Sequence, residues 1–297
     1  MPPEPLFLRV DADALGQRFA LHHSPQHGPL RGLVVHVHPF AEEMNKSRRM
    51  AALQSRALAA EGFAVLQIDL LGCGDSAGSF GDATWAQWVA DVVHACRWLQ
   101  QRHRAGGVGA PGLPLWLWGH RAGALLAVQA VDQLAMACNL LLWQPATSGK
   151  TVLQQFLRLK VAGELLGGQT KAVMQEMRNA LAAGRAVEVA GYTLHPALTQ
   201  DLEQATLQAP AVPAGRIEWF EISPQDDAAL SPAASAQTER WTRAGWTLRT
   251  HLVKGPAFWQ TSEIEDAPAL LQATMDALAE DGQCLDAVAT VAAAARV

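Results

Sequence analysis

Short apolar runs rich in Val, Ile and Leu alternate along the chain with longer segments of helical periodicity. The run at residues 32–38, Gly-Leu-Val-Val-His-Val-His, is typical of a strand buried on both faces of a parallel sheet. Residues 85–101 instead repeat apolar side chains at Trp88, Val92 and Leu99, the spacing of one helix face. The same reasoning predicts further strands at residues 62–70, 115–118, 138–143, 216–222 and 246–252. Helices are predicted after them, one ending near residue 60 and others at about residues 124–130, 231–244 and 264–279.

The alternation of strand and helix at these short spacings implies right-handed βαβ crossovers and a mostly parallel, doubly wound sheet. A short antiparallel pair of strands is expected before it, at residues 6–10 and 17–22. We therefore predict an α/β fold with one core domain.

The alternation breaks off between residues 146 and 213. Helical patterns at residues 151–166 and 171–183, and a short extended stretch at 187–194, take its place. Because α/β sheets bind ligands at the carboxyl ends of their strands, and the break follows such an end, we expect this block to be a helical cap over the ligand-binding edge. The expected organisation is a core at residues 1–145 and 214–281, a cap at 146–213 and a C-terminal tail at 282–297.

Composition supports a folded protein and excludes some partners. The 297 residues are 49% hydrophobic and 17% charged, which describes a well-packed globular chain. The 23 Lys and Arg against 28 Asp and Glu give a formal net charge of −5, without a long basic run. Nucleic acid and anionic membrane surfaces are therefore not expected as partners.

The cysteines and histidines do not form a recognisable metal or disulfide pattern. Four scattered cysteines without a C-x-x-C pair indicate reduced thiols: Cys73, Cys96, Cys138 and Cys284. His22, His23 and His27 lie beside a Pro- and Gly-rich loop and are interpreted as solvated rather than as metal ligands. With no secretory leader and no run of about 18 apolar residues, we expect a cytoplasmic protein without a membrane span, metal or cofactor.

One turn carries the strongest chemical signal. The strand at residues 115–118 runs into Gly119-His120-Arg121-Ala122-Gly123 and then directly into a helix-forming sequence. Strand, tight Gly-x-x-x-Gly turn and helix form the frame of the nucleophile elbow G-x-S-x-G of α/β-hydrolases. Here Arg121 stands at the centre, and a guanidinium group cannot act as a nucleophile.

Arg121 also needs an electrostatic partner. It lies at the N-terminus of a helix, where a positive charge costs about 0.3–1 kcal/mol. A bound anion, held bidentately, is one possible partner. The carboxylates considered as partners are Glu42, Glu43, Asp226 and Asp227.

The two remaining positions of a catalytic triad give different signals. Asp226 and Asp227 follow a strand end where the acid is expected, although paired Asp residues also form turns. After the last strand, alignment on Gly255 and Phe258 puts Ala257 where a hydrolase has its histidine. His251 lies too early, inside the strand, and is interpreted as a packed histidine.

The loop after residue 38 is the candidate oxyanion hole. A backbone N–H after Phe40, together with the N–H of Ala122, could bind a developing negative oxygen. Two interpretations of His38 are left open: it belongs to this ligand-binding site with Phe40, Arg121 and Ala122, or it only satisfies backbone groups of the loop.

Four motifs together resemble the exosortase A system-associated hydrolases of the second type. They lie at residues 38–49, 69–76, 118–124 and 255–260, and the resemblance extends from about residue 33 to 265. It implies an α/β-hydrolase fold and a bacterial exopolysaccharide and PEP-CTERM protein-sorting locus. The elbow serine is not kept in that family either, so the resemblance implies no Ser-His-Asp mechanism for this chain.

Two functional hypotheses follow. The preferred one is a pseudoenzyme that binds an anionic or acyl small molecule, or a partner protein, in the former catalytic cleft. The alternative is a hydrolase of esters, thioesters or amides in which Glu42, Glu43, Asp226 or Asp227 activates water and Arg121 polarises the substrate. A nucleophile at Cys73 or Ser76 is disfavoured because that loop resembles a structural turn of the fold.

Overall fold

Apart from one additional helix near residue 200, the strands and helices follow the predicted order. The computed structural model describes residues 2–10, 16–105, 113–163, 170–211 and 215–279. Its strands are β1 (Glu4–Arg9), β2 (Gln17–His23), β3 (Gly32–Val37), β4 (Phe63–Ile68), β5 (Leu115–His120), β6 (Asn139–Trp143), β7 (Val187–Val189), β8 (Tyr192–Leu194), β9 (Arg216–Ser223) and β10 (Thr247–Lys254). Its helices are α1 (Glu42–Ala60), α2 (Trp85–Ala105), α3 (Gly123–Leu134), α4 (Gly149–Gly163), α5 (Thr170–Ala182), α6 (Pro196–Gln204), α7 (Pro232–Arg243) and α8 (residues 268–279).

Eight of these strands form one sheet in the order β1-β2-β4-β3-β5-β6-β9-β10. β1 and β2 pair antiparallel, with Phe7 opposite Phe19, and β2 is also antiparallel to β4. From β4 to β10 every pairing is parallel. The mostly parallel α/β-hydrolase sheet expected from the sequence is therefore confirmed.

Apolar cores cover both faces of the sheet, which explains the continuous apolar runs. Val35 and Val37 face a core shared with α2 and α3. Val34, between them, faces the opposite core, which contains Met50 from α1 and Leu270 from α8. Because successive side chains of a strand point to opposite faces, β3 must be apolar at both sets of positions.

The segment between β6 and β9 contains α4, α5, the β7–β8 hairpin and α6. Helix α6 was not predicted; it begins at Pro196 with the His195 side chain accepting a hydrogen bond from the Ala197 N–H. The predicted start of the last helix at residue 264 was wrong, because α8 begins at Pro268, a residue that the first turn of a helix tolerates. The predicted tail at 282–297 lies outside the described residues.

None of the helices in the described part of the chain is long and apolar enough to cross a bilayer.

Candidate functional site

The turn between β5 and α3 has the strained geometry of an elbow. Arg121, at its centre, has φ 54°, a left-handed conformation that is uncommon for a residue with a side chain. The flanking glycines are required sterically, since a Cβ at Gly123 would lie 2.2 Å from the carbonyl oxygen of Val37 and one at Gly119 would lie 2.5 Å from Cα of Ala124. The sequence therefore keeps the elbow backbone while placing arginine at the nucleophile position.

The side chain of Arg121 is held by three neighbours. Its Nε and Nη2 both donate to Oε1 of Glu43 at 3.3 Å, and Nη2 also donates to Oε1 of Gln155 at 2.9 Å. The guanidinium carbon lies 5.5 Å from the ring centre of Trp259, within cation–π range. Because the side chains of Arg121 and Glu43 are only 11% and 21% exposed, the pair is weakly screened by water. Glu43 is thus the partner that a cation at this helix terminus needs.

The surroundings of Glu43 have opposing effects on the pKa of its carboxyl group. Burial raises the pKa of the Glu43 carboxyl, while the charge of Arg121 and hydrogen bonding by Arg121 and Gln260 oppose that rise. The net direction is upward, as expected for a carboxylate whose desolvation outweighs one ion pair.

The other predicted carboxylates do not pair with Arg121. Glu42 accepts hydrogen bonds from Nδ2 of Asn45 at 3.1 Å and from the hydroxyl of Tyr192 at 3.3 Å. Asp226 forms an ion pair with Lys254 at 2.6 Å on the surface, with its side chain 77% exposed. Asp227 is also exposed. Of the four, Glu42 and Glu43 are the ones at the elbow cleft.

Both ring nitrogens of His38 form hydrogen bonds with backbone groups. Its Nδ1 lies 2.8 Å from the carbonyl oxygen of Pro39, and its Nε2 accepts from the N–H of Leu70 at 3.3 Å. Both bonds require the tautomer with a proton on Nδ1. Burial lowers the pKa of this imidazole, so the neutral form is favoured. These contacts favour the structural interpretation of His38.

The proposed oxyanion-hole amides remain available. Within the described residues, neither the N–H of Ala41, which follows Phe40, nor the N–H of Ala122 donates to another backbone or side-chain group. Ala41 has φ 50°, so the loop leading to these amides is also strained. Free amides in a strained loop are compatible with binding of an oxygen atom.

A base is missing from the position after the last strand. Ala257 packs against the core cluster of Phe258 and Trp259, and its carbonyl accepts from the N–H of Gln260. Nε2 of His251 donates to Oε2 of Glu218 at 2.6 Å, and the ring stacks on Phe220, so His251 is a structural residue of β10.

The loop with Cys73 and Ser76 has the contacts of a structural turn. The Ser76 hydroxyl donates to the carbonyl oxygen of Asp69 and accepts from the N–H of Phe19. Burial raises the pKa of the Cys73 thiol, which opposes formation of a nucleophilic thiolate. Neither side chain has the environment of a nucleophile.

A pocket of about 350 Å³ lies against the Arg121 group, between α1, α4 and the loop after β10. Three of the residues that line it also hold Arg121, namely Glu43, Gln155 and Trp259. The remaining lining residues are Phe40, Glu42, Lys46, Val152, Phe156, Arg158, Leu159 and Gln260. Gln155 and Arg158 were not predicted as site residues. The sequence of a helix does not show which other part of the protein its polar side chains will contact.

Comparison with known proteins assigns the family. The sequence profile described as "Serine aminopeptidase, S33" matches residues 28–205, more than half of the chain. A search of curated proteins found no significant match.

Solved structures agree on the fold. They include Est1E from Butyrivibrio proteoclasticus with ferulic acid bound (TM-score 0.60, 17% identity, 96% of this chain and 99% of that one). A soluble variant of monoglyceride lipase from Saccharomyces cerevisiae matches with TM-score 0.58 and 14% identity over 94% of this chain and 95% of that one. A carboxyl esterase from Bacillus coagulans matches with TM-score 0.54 and 15% identity over 86% and 91%. At such identities these likenesses concern the fold alone. On the profile match, the chain belongs to the serine aminopeptidase S33 family of α/β-hydrolase-fold proteins.

Proposed function

We propose that this chain is a non-hydrolytic family member of the exosortase A system-associated type, which binds an anionic or acyl small molecule in the cleft above the elbow. The main support for the proposal is the position of Arg121 and of the residues that hold it. A cation fixed by Glu43 and Gln155 fills the nucleophile position, while a largely apolar pocket of about 350 Å³ stays open beside it. Ala257, where a hydrolase has its histidine, supports the same proposal.

The proposal includes the helical cap. Residues 146–213 would form the cap, and residues 1–145 and 214–281 the core. The proposal also places the protein in the cytoplasm and its gene in an exopolysaccharide or PEP-CTERM protein-sorting locus. Support comes from α4, which supplies one wall of the pocket, and from the hydrogen bond between Gln155 of α4 and Arg121 of the elbow. A protein partner would reach the pocket over this segment.

The test combines catalysis and binding. The purified chain is expected to hydrolyse no member of a panel of esters, thioesters and amides above the buffer rate. Thermal-shift and calorimetric titration with acyl carboxylates and acyl phosphates is expected to give saturable stabilisation. Turnover of any panel member by the elbow cleft, or lack of binding to every acyl compound, would overturn the proposal.

A specific observation favours a second candidate function. The raised pKa of Glu43, beside a cation and two free backbone amides, suits a carboxylate that activates water while Arg121 polarises a carbonyl group. Under this alternative, Arg121→Ala and Glu43→Gln each abolish hydrolysis of a substrate that the wild-type protein turns over. Activity that survives both substitutions would reject that mechanism.

A further inference from the structure

The charges around the pocket differ in how fully they are compensated. Among the described residues, two cations (Lys46 and Arg158) and two carboxylates (Glu42 and Glu43) line it, and a third cation, Arg121, is bound to the lining residue Glu43. Arg121 is paired with Glu43, so those two charges offset each other. The elbow arginine is therefore not the group that is free to receive an anion.

Unlike Glu43, the second carboxylate is not paired with a cation among the described residues. Glu42 accepts from Asn45 and Tyr192, which are neutral donors. It lies one helical turn before Lys46 on α1, at the i,i+4 spacing at which opposite charges moderate each other. The ammonium of Lys46 donates to the carbonyl oxygen of Thr261 at 2.7 Å, which anchors it at the pocket wall and leaves its other hydrogens free.

Arg158 is the remaining charge. It lines the pocket from α4, is exposed at the mouth, and forms no hydrogen bond or ion pair with any described residue. Its neighbour Leu159 is 44% exposed, beside the apolar wall formed by Phe40, Val152 and Phe156. A fork of guanidinium donors thus lies at the mouth of an apolar pocket in a chain whose net charge is −5.

From this arrangement we infer that the ligand is an anionic amphiphile, whose single negative head group is bound by Arg158 with help from Lys46. The apolar chain of the ligand lies along Phe40, Val152, Phe156 and Trp259. At about 350 Å³ the pocket holds roughly twelve water-sized volumes, enough for a chain of about ten carbon atoms. This inference rests on the proposed function and names the substrate class of the same site.

The experiment compares ligands that differ in the head group. Decanoate, decyl phosphate, decanol and methyl decanoate are titrated by calorimetry into the wild-type chain and into Arg158→Gln. Lys150→Gln is the matched control, because Lys150 is an exposed cation of the same helix that does not line this pocket. Decanoate and decyl phosphate distinguish a carboxylate from a phosphate head group.

We expect at least one of the two anions to bind about tenfold more tightly than decanol, as one charge-assisted contact would give. Arg158→Gln should remove that advantage and leave decanol binding within about twofold, whereas Lys150→Gln should change neither. Equal binding of anions and decanol by the wild-type chain, or equal effects of the two substitutions, would overturn the inference while leaving an acyl-binding pocket. Failure of all four compounds to bind would instead overturn the proposed function.

Discussion

Oε1 of Glu43 lies 3.3 Å from both Nε and Nη2 of Arg121, so the second residue of α1 holds the side chain at the elbow centre. This contact changes the meaning of arginine at that position. A cation at a helix N-terminus is unfavourable alone, but with Glu43 it becomes part of a bridge that continues through Gln155 to α4. The bridge connects three segments that are far apart in sequence, at residues 43, 121 and 155.

Removing both partners of the bridge should destabilise the fold by less than the sum of the two single losses. Glu43→Gln leaves the Arg121 cation without a carboxylate and is expected to lower the free energy of unfolding by about 1–3 kcal/mol. The double variant Arg121→Met/Glu43→Gln should lose clearly less than the sum of the single variants. Urea denaturation measures all three, with the exposed i,i+4 pair of Arg243 and Glu239 as a control cycle in which the coupling should not exceed about 0.5 kcal/mol. Additive losses at Arg121 and Glu43 would contradict the role of the pair.

The glycine after the elbow should not tolerate a side chain. In Gly123→Ala the new methyl group would lie 2.2 Å from the carbonyl oxygen of Val37, so α3 or β3 must shift. We expect a loss of about 3 kcal/mol in unfolding free energy, or no soluble protein at all. Gly255→Ala is the control, since its methyl group meets Ala267 and Ile222 at 3.4 Å, an ordinary contact. Similar stabilities for the two variants would show that the elbow is less tightly packed than described.

Much of this geometry could be predicted from the sequence, and the reason is local. Burial on both faces of the sheet gives β3 an unbroken apolar run, and the spacing of Gly119 and Gly123 is the sterically required frame of one tight turn. The choice of Glu43 among four carboxylates could not be predicted, because it depends on how α1 lies against the elbow. Gln155 was missed for a similar reason, since its contact with Arg121 depends on how α4 lies over the sheet. The start of α8 is different, because Pro268 was a readable signal that the predicted start overlooked.

The free energy of unfolding should decrease at acidic pH because β3 contains a buried, neutral histidine. His36 is fully covered, its ring centre lies 4.3 Å from that of Trp118, and burial lowers its pKa from 6.5 to about 3. A pKa lowered in the folded state means that the unfolded chain binds the proton more tightly. The stability contribution of neutral His36 is therefore present above pH 6.5 and is lost as the pH falls from 6.5 towards 3.

The magnitude can be measured by unfolding at a series of pH values. One proton taken up on unfolding corresponds to a slope of up to about 1.4 kcal/mol per pH unit. His36→Phe keeps a ring against Trp118. Between pH 6 and pH 4 it should reduce the slope of unfolding free energy against pH by up to about 1.4 kcal/mol per pH unit. His27→Gln, at an exposed loop position, should leave the curve unchanged. Parallel curves for wild type and His36→Phe would mean that the neutral imidazole does not carry the acid sensitivity.

Introducing a serine at the elbow should not produce hydrolysis. Arg121→Ser supplies a hydroxyl group at the centre of the turn, yet no histidine stands at position 257 to accept its proton, and the imidazole of His251 is engaged by Glu218. The substitution also removes the cation that opposes the rise in the pKa of Glu43, so this buried carboxyl shifts towards its neutral form, which cannot accept the serine proton. Hydrolysis of p-nitrophenyl butyrate by Arg121→Ser is therefore expected to stay at the level of wild type, with Arg121→Ala as the variant matched for loss of the guanidinium group. A serine-dependent rate above that of Arg121→Ala would require a base that the described site does not present, and would count against the proposed non-hydrolytic function.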